Sequence, residues 1–237
     1  MEINNFSNFR EGSIILIDKP YQWTSFNVVG KLRVLIRRAT GERNIKVGHA
    51  GTLDPLATGL LVVCTGKSTK QVLNLMGQKK EYIATLKLGE TTPSFDLETQ
   101  PDRQYPTDHI THLLIESVIK NFVGVQNQVP PLFSAKYVNG KRAYKLARKG
   151  ADMELAPVPV EIYGIELVNL EMPFLTLKIK CSKGTYIRSI ARDIGLALGS
   201  GAHIVELRRT ANGDFNISEA LTIEEVEQIF STLCNQR

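Results

Sequence analysis

One short stretch, VGHAGTLDPLATGLLVVC at residues 47–64, constrains the fold of this chain more than any other. It opens with a turn-forming segment that contains three glycines, His49 and Asp54, and it runs directly into an apolar segment of strand length. Pro55 restricts the backbone of Asp54 to an extended conformation. The apolar residues after it predict a buried strand. We therefore expect a loop that is anchored in the core and holds one carboxylate in a fixed direction.

The other hydrophobic patterns predict strands and helices in an irregular order. Residues 82–88 alternate between apolar and other side chains, which predicts a strand with one buried face. Thr24 or Ser25 can cap a helix that follows it, and Thr222 with Glu225 has the spacing of a capping box. These mixed elements favour an α+β fold around a large sheet over a βαβ array.

Two later segments of the chain lack a regular strand or helix pattern. Residues 91–106 are rich in proline and turn formers and predict a surface excursion. The segments 160–171 and 174–181 predict paired strands, and a helix is predicted after residue 185. Residues 127–158 are proline-bounded, basic and poor in strand pattern, and we interpret them as an inserted arm with a short helix.

The distribution of charge is more informative than the net charge of +5. Residues 134–150 contain six basic residues and no acidic residue, and they include Tyr137 and Tyr144. Residues 31–46 are nearly as basic. Basic patches with aromatic residues between them favour a nucleic-acid partner, whereas a single basic run is often only a solvated helix face.

Several classes of function find no support in the sequence. No apolar run has the length of about 18 residues that a membrane span needs, and the N-terminus does not resemble a signal peptide. The three cysteines are far apart and form no CxxC pair, so we expect no disulfide framework, no zinc site and a cytoplasmic location. His109 and His112 have no acid or thiol cluster beside them, so no metal is expected.

Asp54 is open to two explanations on these grounds. An Asp–Pro pair is common in turns, where the side chain binds local amides. A positioned carboxylate can instead stabilise, or bond to, a sugar carbon that carries positive charge. Ordinary glycosidases need a second carboxylic acid to protonate the leaving group. A nucleobase that stays bound and re-bonds through another atom would not need one.

Six segments together resemble the TruB family of tRNA pseudouridine synthases. In chain order they are LIDKP, GHAGTLDPLATGLLVVCTG, KKEYIATLKLG, VPPLFSAKYVNGKRAYKLARKG, CSKGTYIRSIARDIG and GAHIVELRRT. They span about residues 14–210. The resemblance implies a pseudouridine-synthase-like α+β catalytic domain with a large mixed, mostly antiparallel sheet flanked by helices and loops.

The activity implied by the resemblance is isomerisation of uridine 55 to pseudouridine in the T loop of tRNA, without cofactor or metal. Asp54 corresponds to the nucleophile, which attacks the sugar or the base, and a glycal route is a further alternative. Arg188 would bind the Asp54 carboxylate through a charge-assisted hydrogen bond. Tyr82 would stack on the flipped uracil and assist removal of the C5 proton, and His49 would fill the space that the nucleotide leaves. The pocket-lining residues implied are Tyr186 and Leu207.

The resemblance also implies how RNA is held. The insert at about 127–158 would clamp the T arm through phosphate contacts. The residues expected at the RNA backbone are Lys19, Lys136, Lys141, Arg142 and Arg148. For Lys19, a structural role is the alternative. We expect a single catalytic domain over 1–237 without a complete C-terminal PUA domain, acting as a monomer without guide RNA or protein partner. An RNA-binding tRNA-folding factor and a hydrolase of small glycosides are the alternatives.

Overall fold

Helices and strands alternate irregularly along the residues that the computed structural model describes, which are Phe6, 8–134, 136–138, 140–148, 150, 153 and 155–235. The helices are α1 (Ser25–Thr40), α2 (Val72–Gly77), α3 (His112–Lys120), α4 (Ala143–Ala147), α5 (Ile187–Ala197) and α6 (Ile223–Asn235). The first strands are β1 (Ile14–Lys19), β2 (Val47–His49), β3 (Thr58–Thr65), β4 (Lys80–Leu88), β5 (Glu90–Thr91), β6 (Arg103–Gln104) and β7 (Gly124–Gln128). The later strands are β8 (Tyr137–Val138), β9 (Lys141–Arg142), β10 (Val158–Glu171), β11 (Phe174–Cys181), β12 (Ala202–Asn212) and β13 (Phe215–Asn216).

The packing of the backbone divides the chain into two compact units. Unit 1 comprises Met1–Tyr82 and Arg208–Arg237, and unit 2 comprises Ile83–Leu207. The boundaries fall inside β4 and β12, so each unit contains part of both strands. The single catalytic domain expected from the sequence stays a prediction.

Unit 1 is built on the strand that follows the Asp54 loop. Strand β3 pairs antiparallel with β1, from Ile14 opposite Cys64 to Lys19 opposite Gly59, and it also pairs with β2. Residues Thr58 and Gly59 of β3 pair with β12 in the parallel direction. Helices α1 and α6 cover one face, where the core residues include Ile15, Ile17, Leu32, Ile36, Leu61, Val63, Val226 and Phe230. On the other face, Leu75 of α2 packs with Ile14, Leu16, Leu60 and Val62.

Both helix caps predicted in this unit are confirmed. The Thr24 side chain accepts a hydrogen bond from the amide of Asn27 at 3.0 Å, and the Asn27 side chain accepts one from the Thr24 amide at 2.8 Å. Thr222 and Glu225 exchange the same pair of bonds ahead of α6, at 2.7 and 3.2 Å. Each cap satisfies amides that the first helical turn leaves without partners.

Unit 2 contains the predicted pair of strands. Strand β10 pairs antiparallel with β11 on one side and with β7 on the other, and β11 neighbours β4. Alternate residues of β11 (Leu175, Leu177 and Ile179) are fully buried, and α3 packs against β10 and α5. The predicted α+β class with a mixed, mostly antiparallel sheet is confirmed.

The surface excursion predicted over 91–106 is only partly correct. Thr92, Ser94 and Asp96 are buried, and β5 pairs with β6 across the segment. The segment folds inward because its polar groups bind one another. The Thr92 hydroxyl donates to the Asp96 carbonyl at 2.7 Å, and the Ser94 hydroxyl lies 2.8 Å from that of Thr99.

Candidate active site

Asp54 lies in the loop between β2 and β3, at the centre of unit 1. The amide of Ala50 donates to the Val62 carbonyl at 2.8 Å and fixes the start of the loop. The amide of Ala57 donates to the Asp54 carbonyl at 3.1 Å and closes a turn. The Asp54 side chain is half-buried. A backbone turn and an accessible carboxylate therefore coexist at this position.

Arg209 fastens both ends of this loop from inside the protein. Its side chain is only 1% exposed. The guanidinium donates to the Leu60 carbonyl at 2.7 Å and to the Gly51 carbonyl at 3.0 Å, and it lies 3.5 Å from the Thr52 carbonyl. Because a guanidinium presents its donors in a rigid planar fork, these bonds set the distance between the two ends of the loop.

Gly59 makes the close approach of Arg209 possible. The two residues pair across β3 and β12, and Gly59 has a φ of +100°. A Cβ atom at this position would lie 2.3 Å from the Arg209 carbonyl oxygen. Only glycine combines that φ with that contact at low energy.

Lys19 is the second buried cation beneath the loop. Its side chain is fully buried, and its ammonium donates to the carbonyls of Pro20 at 2.9 Å, Trp23 at 2.6 Å and Pro55 at 3.3 Å. Burial lowers the pKa of Lys19 to about 8, against the attraction of the Asp54 carboxylate. Its ammonium is enclosed and binds the residue that follows Asp54, which favours the structural role expected as the alternative for Lys19. A contact of Lys19 with the RNA backbone stays a prediction.

A third contact fixes the residue that precedes Asp54. The buried Ser25 hydroxyl accepts a hydrogen bond from the Leu53 amide at 2.9 Å and donates to the Leu53 carbonyl at 3.2 Å. Ser25 is the first residue of α1. The backbone on both sides of Asp54 is therefore tied to side chains of the core, which is how a reactive group is held in one orientation.

His49 and Tyr82, two further residues expected at the site, also belong to unit 1. His49 ends β2 and is half-buried. Burial, and next the charge of Arg209, lower the pKa of His49, so the neutral imidazole is favoured. Tyr82 lies on the buried face of β4 and is 8% exposed.

Arg188 occupies a comparable supporting position in unit 2. It lies in the first turn of α5 and is 4% exposed, so it is not a surface cation. The guanidinium donates to the carbonyls of Ser94 at 3.2 Å and Phe133 at 3.0 Å, and its Nε lies 3.6 Å from a carboxylate oxygen of Asp96. Arg188 therefore joins α5, the 91–106 segment and the start of the insert.

Tyr186 and Leu207 are both partly exposed in unit 2. The side-chain amide of Gln128 donates to the Tyr186 carbonyl at 3.1 Å and accepts from the Tyr186 amide at 2.8 Å. This paired contact fixes the backbone of Tyr186 immediately before α5. Leu207, in β12, is not a fully buried core residue, which leaves part of its side chain available to a ligand.

The basic insert connects β7 to β10 at the point where Gln128 pairs with Val158. It contains the short pair β8–β9 and helix α4. Lys136 donates to the Ala156 carbonyl at 3.2 Å, the Arg142 guanidinium lies 3.9 Å from the centre of the Tyr137 ring, and Arg148 pairs with Glu98 at 2.6 Å.

Part of the insert lies outside the residues that the structure describes, namely residues 135, 139, 149, 151, 152 and 154. Lys141 belongs to β9, and its side chain is likewise outside the described part.

Sequence reasoning missed four of the supporting residues: Ser25, Asp96, Gln128 and Arg209. Asp96 lies in a segment interpreted as surface, and Arg209 follows another arginine in a strand, where a cation is normally solvated. Ser25 was considered only as a helix cap. None of these side chains had a local pattern that pointed to its role, because each acts on residues far away in the sequence.

Comparison with known families decides the class of the chain. A family model described as "TruB family pseudouridylate synthase (N terminal domain)" matches residues 37–187. The chain belongs to this family. A second model, "tRNA pseudouridylate synthase B C-terminal domain", matches residues 188–236. Members of the TruB family are pseudouridine synthases and therefore isomerases, which confirms the predicted enzyme class.

Similar proteins extend the match to most of the chain. The tRNA pseudouridine synthase B of Phocaeicola vulgatus is 54% identical over 92% of this chain and 92% of its own length. The tRNA pseudouridine synthase B of Parabacteroides distasonis is 53% identical over 93% of this chain and 94% of its own length.

Solved structures of the TruB-like fold superimpose on the chain. A chain from a Cbf5–Nop10–Gar1 complex has a TM-score of 0.71 and 32% identity over 93% of this chain. A chain from an H/ACA RNP bound to a substrate RNA containing 2′-deoxyuridine has a TM-score of 0.70 and 28% identity over 96% of this chain. This chain spans about half the length of those two chains, 54% and 56%.

The described residues also bear on other classes of protein. No described helix has the length and apolarity to cross a bilayer. No three His, Cys, Asp or Glu side chains in the described part are grouped as metal ligands. His109 precedes α3, which begins at His112, and its Nε2 lies 2.8 Å from the Leu198 carbonyl oxygen.

Proposed function

We propose that this chain converts uridine 55 of the tRNA T loop to pseudouridine, with Asp54 as the nucleophile and without cofactor. The observation that carries the proposal is the way the Asp54 loop is held. Three side chains from the core, Arg209, Lys19 and Ser25, bind the backbone on both sides of a half-buried carboxylate. A loop that only reverses the chain does not need such support, whereas a nucleophile must be kept in one orientation.

The reaction is a rearrangement in which no atom is gained or lost overall. The bond between N1 of uracil and C1′ of the ribose breaks, the uracil turns while it stays bound, and C5 forms the new bond to C1′. The proton on C5 is then released and N1 is protonated. Asp54 takes part by attack on C1′ or on C6 of the base, or by removing a proton on the glycal route. All three routes need one carboxylate close to the sugar and the base.

The remaining site residues have supporting roles in this proposal. Arg188 pairs with the Asp54 carboxylate, and its position in the first turn of α5 is fixed by Asp96 and by two carbonyls. Tyr82 stacks on the flipped uracil and assists loss of the C5 proton. Tyr186 and Leu207 line the pocket, and His49, held neutral by burial, fills the space that the nucleotide leaves.

RNA binding is assigned to the insert that connects β7 and β10. Arg142 and Lys136 present cations on its described part, and Lys141 is placed with them by the sequence. Arg148 is exposed but already paired with Glu98, so it contributes less to phosphate binding unless that pair opens. Such contacts position the T arm and give affinity without reading the sequence. The protein acts in this proposal as a cytoplasmic monomer without guide RNA.

The test maps pseudouridine in an unmodified tRNA transcript after incubation with the protein. We expect one new pseudouridine at position 55 and none in a transcript with cytidine there. Lys136→Ala/Arg142→Ala should weaken tRNA binding and lower its salt dependence, because phosphate contacts release counterions. Modification at a different uridine would refute the assigned position.

The two alternative functions give different results in the same experiment. A tRNA-folding factor would bind the transcript and assist its folding with no pseudouridine formed by the wild-type protein. A hydrolase of small glycosides would release free uracil and would not depend on the insert. Either result would overturn the proposed function.

A further inference from the structure

The outer face of α1 forms an open groove of about 750 Å³ in unit 1. Its lining follows one stripe of the helix, in which residues three or four positions apart lie side by side. The stripe comprises Phe26, Gly30, Val34 and Arg38, and Trp23, which precedes the helix, completes the lining at that end. Phe26 is 66% exposed and Val34 is 42% exposed, so large apolar side chains face solvent along a helix whose opposite face is buried in the core.

One groove-lining cation, Lys31, is paired with Glu227 of α6, but other cations near the groove have no such partner. α1 contains no acidic residue. Arg38 lines the groove, and Arg37 and Arg43 line an adjoining pocket that shares Val34 with it. These three cations are exposed, and in the described part of the chain no carboxylate forms an ion pair with any of them. The neighbouring acid, Glu42, is paired with Arg10 at 2.9 Å. The groove therefore has an uncompensated positive edge that fits a polyanion.

Aromatic and cationic groups lie together at one end of the groove. The Arg33 guanidinium is 5.6 Å from the centre of the exposed Phe26 ring, and it donates to the Val47 carbonyl at 2.8 Å. A fixed guanidinium beside an exposed ring is the arrangement on which nucleobases stack in single-stranded nucleic acid sites. An acidic protein would use the cations but would not need the ring.

Gly30 gives an independent reason to expect a ligand. A glycine inside a helix is unfavourable compared with alanine. Apart from the two chain neighbours and the backbone of the same helix, no described atom lies within 4 Å of the position that a Cβ of Gly30 would occupy, so no packing contact requires glycine there. The missing side chain instead leaves the helix backbone open on the floor of the groove, where a ligand can approach closely.

The groove begins at the loop that carries Asp54. Ser25, at the start of α1, binds Leu53 directly before Asp54, and Lys19 joins the carbonyls of Trp23 and Pro55. From Phe26 to Arg38 the helix extends about 18 Å at the usual rise per residue. An RNA strand with its target nucleotide at Asp54 could therefore continue along α1 over several nucleotides.

We infer that the α1 groove is a second RNA-binding surface, separate from the insert, which holds the phosphate backbone of the strand that continues from the target uridine. This inference rests on the proposed function and extends it. Arg37 and Arg38 bind phosphates, Phe26 with Arg33 supports a base, and Gly30 allows the strand to approach the helix.

The test compares the tRNA affinity of three variants with that of the wild-type protein over a range of salt concentrations. Arg37→Ala/Arg38→Ala should raise Kd at least about fivefold at low salt and reduce the slope of log Kd against log salt by about 1.5, since two phosphate contacts are lost. The control is Lys67→Ala/Lys70→Ala, which removes two exposed cations from the same unit, of which Lys67 pairs with the exposed Glu11 at 2.6 Å. It should change Kd less than twofold.

Gly30→Gln separates shape from charge. The added side chain fills the groove without removing a cation, so Kd should rise while the salt slope stays at the wild-type value. The Tm of this variant should equal or exceed that of the wild type, because glutamine is a better helix former. Weaker binding together with a more stable fold cannot come from unfolding.

Three outcomes would overturn the inference. The first is wild-type tRNA affinity in Arg37→Ala/Arg38→Ala. The second is an equal loss of tRNA affinity in the lysine control, which would show a general effect of charge. The third is wild-type tRNA affinity in Gly30→Gln. The first two leave the proposed function intact if the wild-type protein still forms pseudouridine. A wild-type protein that neither binds nor modifies tRNA refutes the proposed function itself.

Discussion

Replacing Arg209 with lysine should weaken both the fold and the reaction, because this one side chain closes the Asp54 loop. The guanidinium makes two short hydrogen bonds, at 2.7 Å to Leu60 and 3.0 Å to Gly51, from a site that is 1% exposed. A hydrogen bond from a charged donor contributes about 1.5–3 kcal/mol, so complete removal in Arg209→Ala should cost about 3–6 kcal/mol. Arg209→Lys keeps the charge but can satisfy one carbonyl at a time, and it should cost about 2 kcal/mol.

The measurement is urea unfolding followed by the fluorescence of Trp23, the one tryptophan in the sequence, which lies in unit 1. The control is the neighbouring Arg208→Lys. Arg208 forms a partly exposed ion pair with Asp18 at 2.6 Å, and such pairs contribute about 0–1 kcal/mol. Turnover is measured beside stability. A shift of about 1 Å in a reacting group can cost about 100-fold, so we expect kcat of Arg209→Lys to fall by about 10- to 100-fold, with tRNA affinity within about twofold of wild type.

Wild-type stability and wild-type kcat in Arg209→Lys would refute this reasoning. They would show that one bond suffices, or that the loop is held by the contacts of Ser25 and Lys19 alone. A loss of stability equal to that of Arg208→Lys would lead to the same conclusion.

Three further predictions test other parts of the structure. Because burial lowers the pKa of Lys19 to about 8, the unfolded chain holds a proton that the folded chain has released between pH 8 and about 10.5. The unfolding free energy of the wild type should therefore rise across this window relative to that of Lys19→Met, by up to about 3 kcal/mol. If urea titrations show the same difference between the two proteins at every pH in the window, the assignment of this pKa to Lys19 is wrong. Gln128→Leu removes two hydrogen bonds to the backbone at the start of α5 and should lower the unfolding free energy by about 1–3 kcal/mol. An unchanged unfolding free energy would show that water replaces these bonds and would contradict the prediction. Gly59→Ala should prevent folding or lower the unfolding free energy by more than about 3 kcal/mol, because its Cβ would lie 2.3 Å from the Arg209 carbonyl oxygen. The control Gly77→Ala places its Cβ in open space, and it should change the unfolding free energy by less than about 0.5 kcal/mol in the same thermal or urea assay.

Elements that depend on neighbouring residues could be predicted from the sequence. The alternation in β4, the cap at Thr24 and the capping box at Thr222 and Glu225 all express contacts within a few residues. The antiparallel pair β10–β11 was also predictable, because only two residues separate its strands. Local physical chemistry was sufficient for each of these features.

The supporting contacts of the site could not be predicted in this way. Arg209 acts on Gly51 and Leu60, which are about 150 residues earlier in the sequence, and the parallel pairing of β12 with β3 leaves no local signal. Asp96 was missed because polar residues in a proline-rich segment normally remain at the surface, whereas here they bind one another and become buried. The sequence left a structural role and an RNA contact open for Lys19, because a lysine is seldom fully buried unless its ammonium finds several acceptors.

The most direct test of the central claim is tritium release from a tRNA transcript that carries 5-tritiated uridine, measured in a single turnover with wild-type protein and with Asp54→Asn. Asparagine has nearly the same shape and is an equally good turn former, so this change separates chemistry from loop structure. The account predicts release by the wild type that requires uridine at position 55, and release by Asp54→Asn at least about 10³-fold slower, with tRNA binding retained. Release at a near wild-type rate by Asp54→Asn would show that Asp54 shapes a turn and that the nucleophile lies elsewhere.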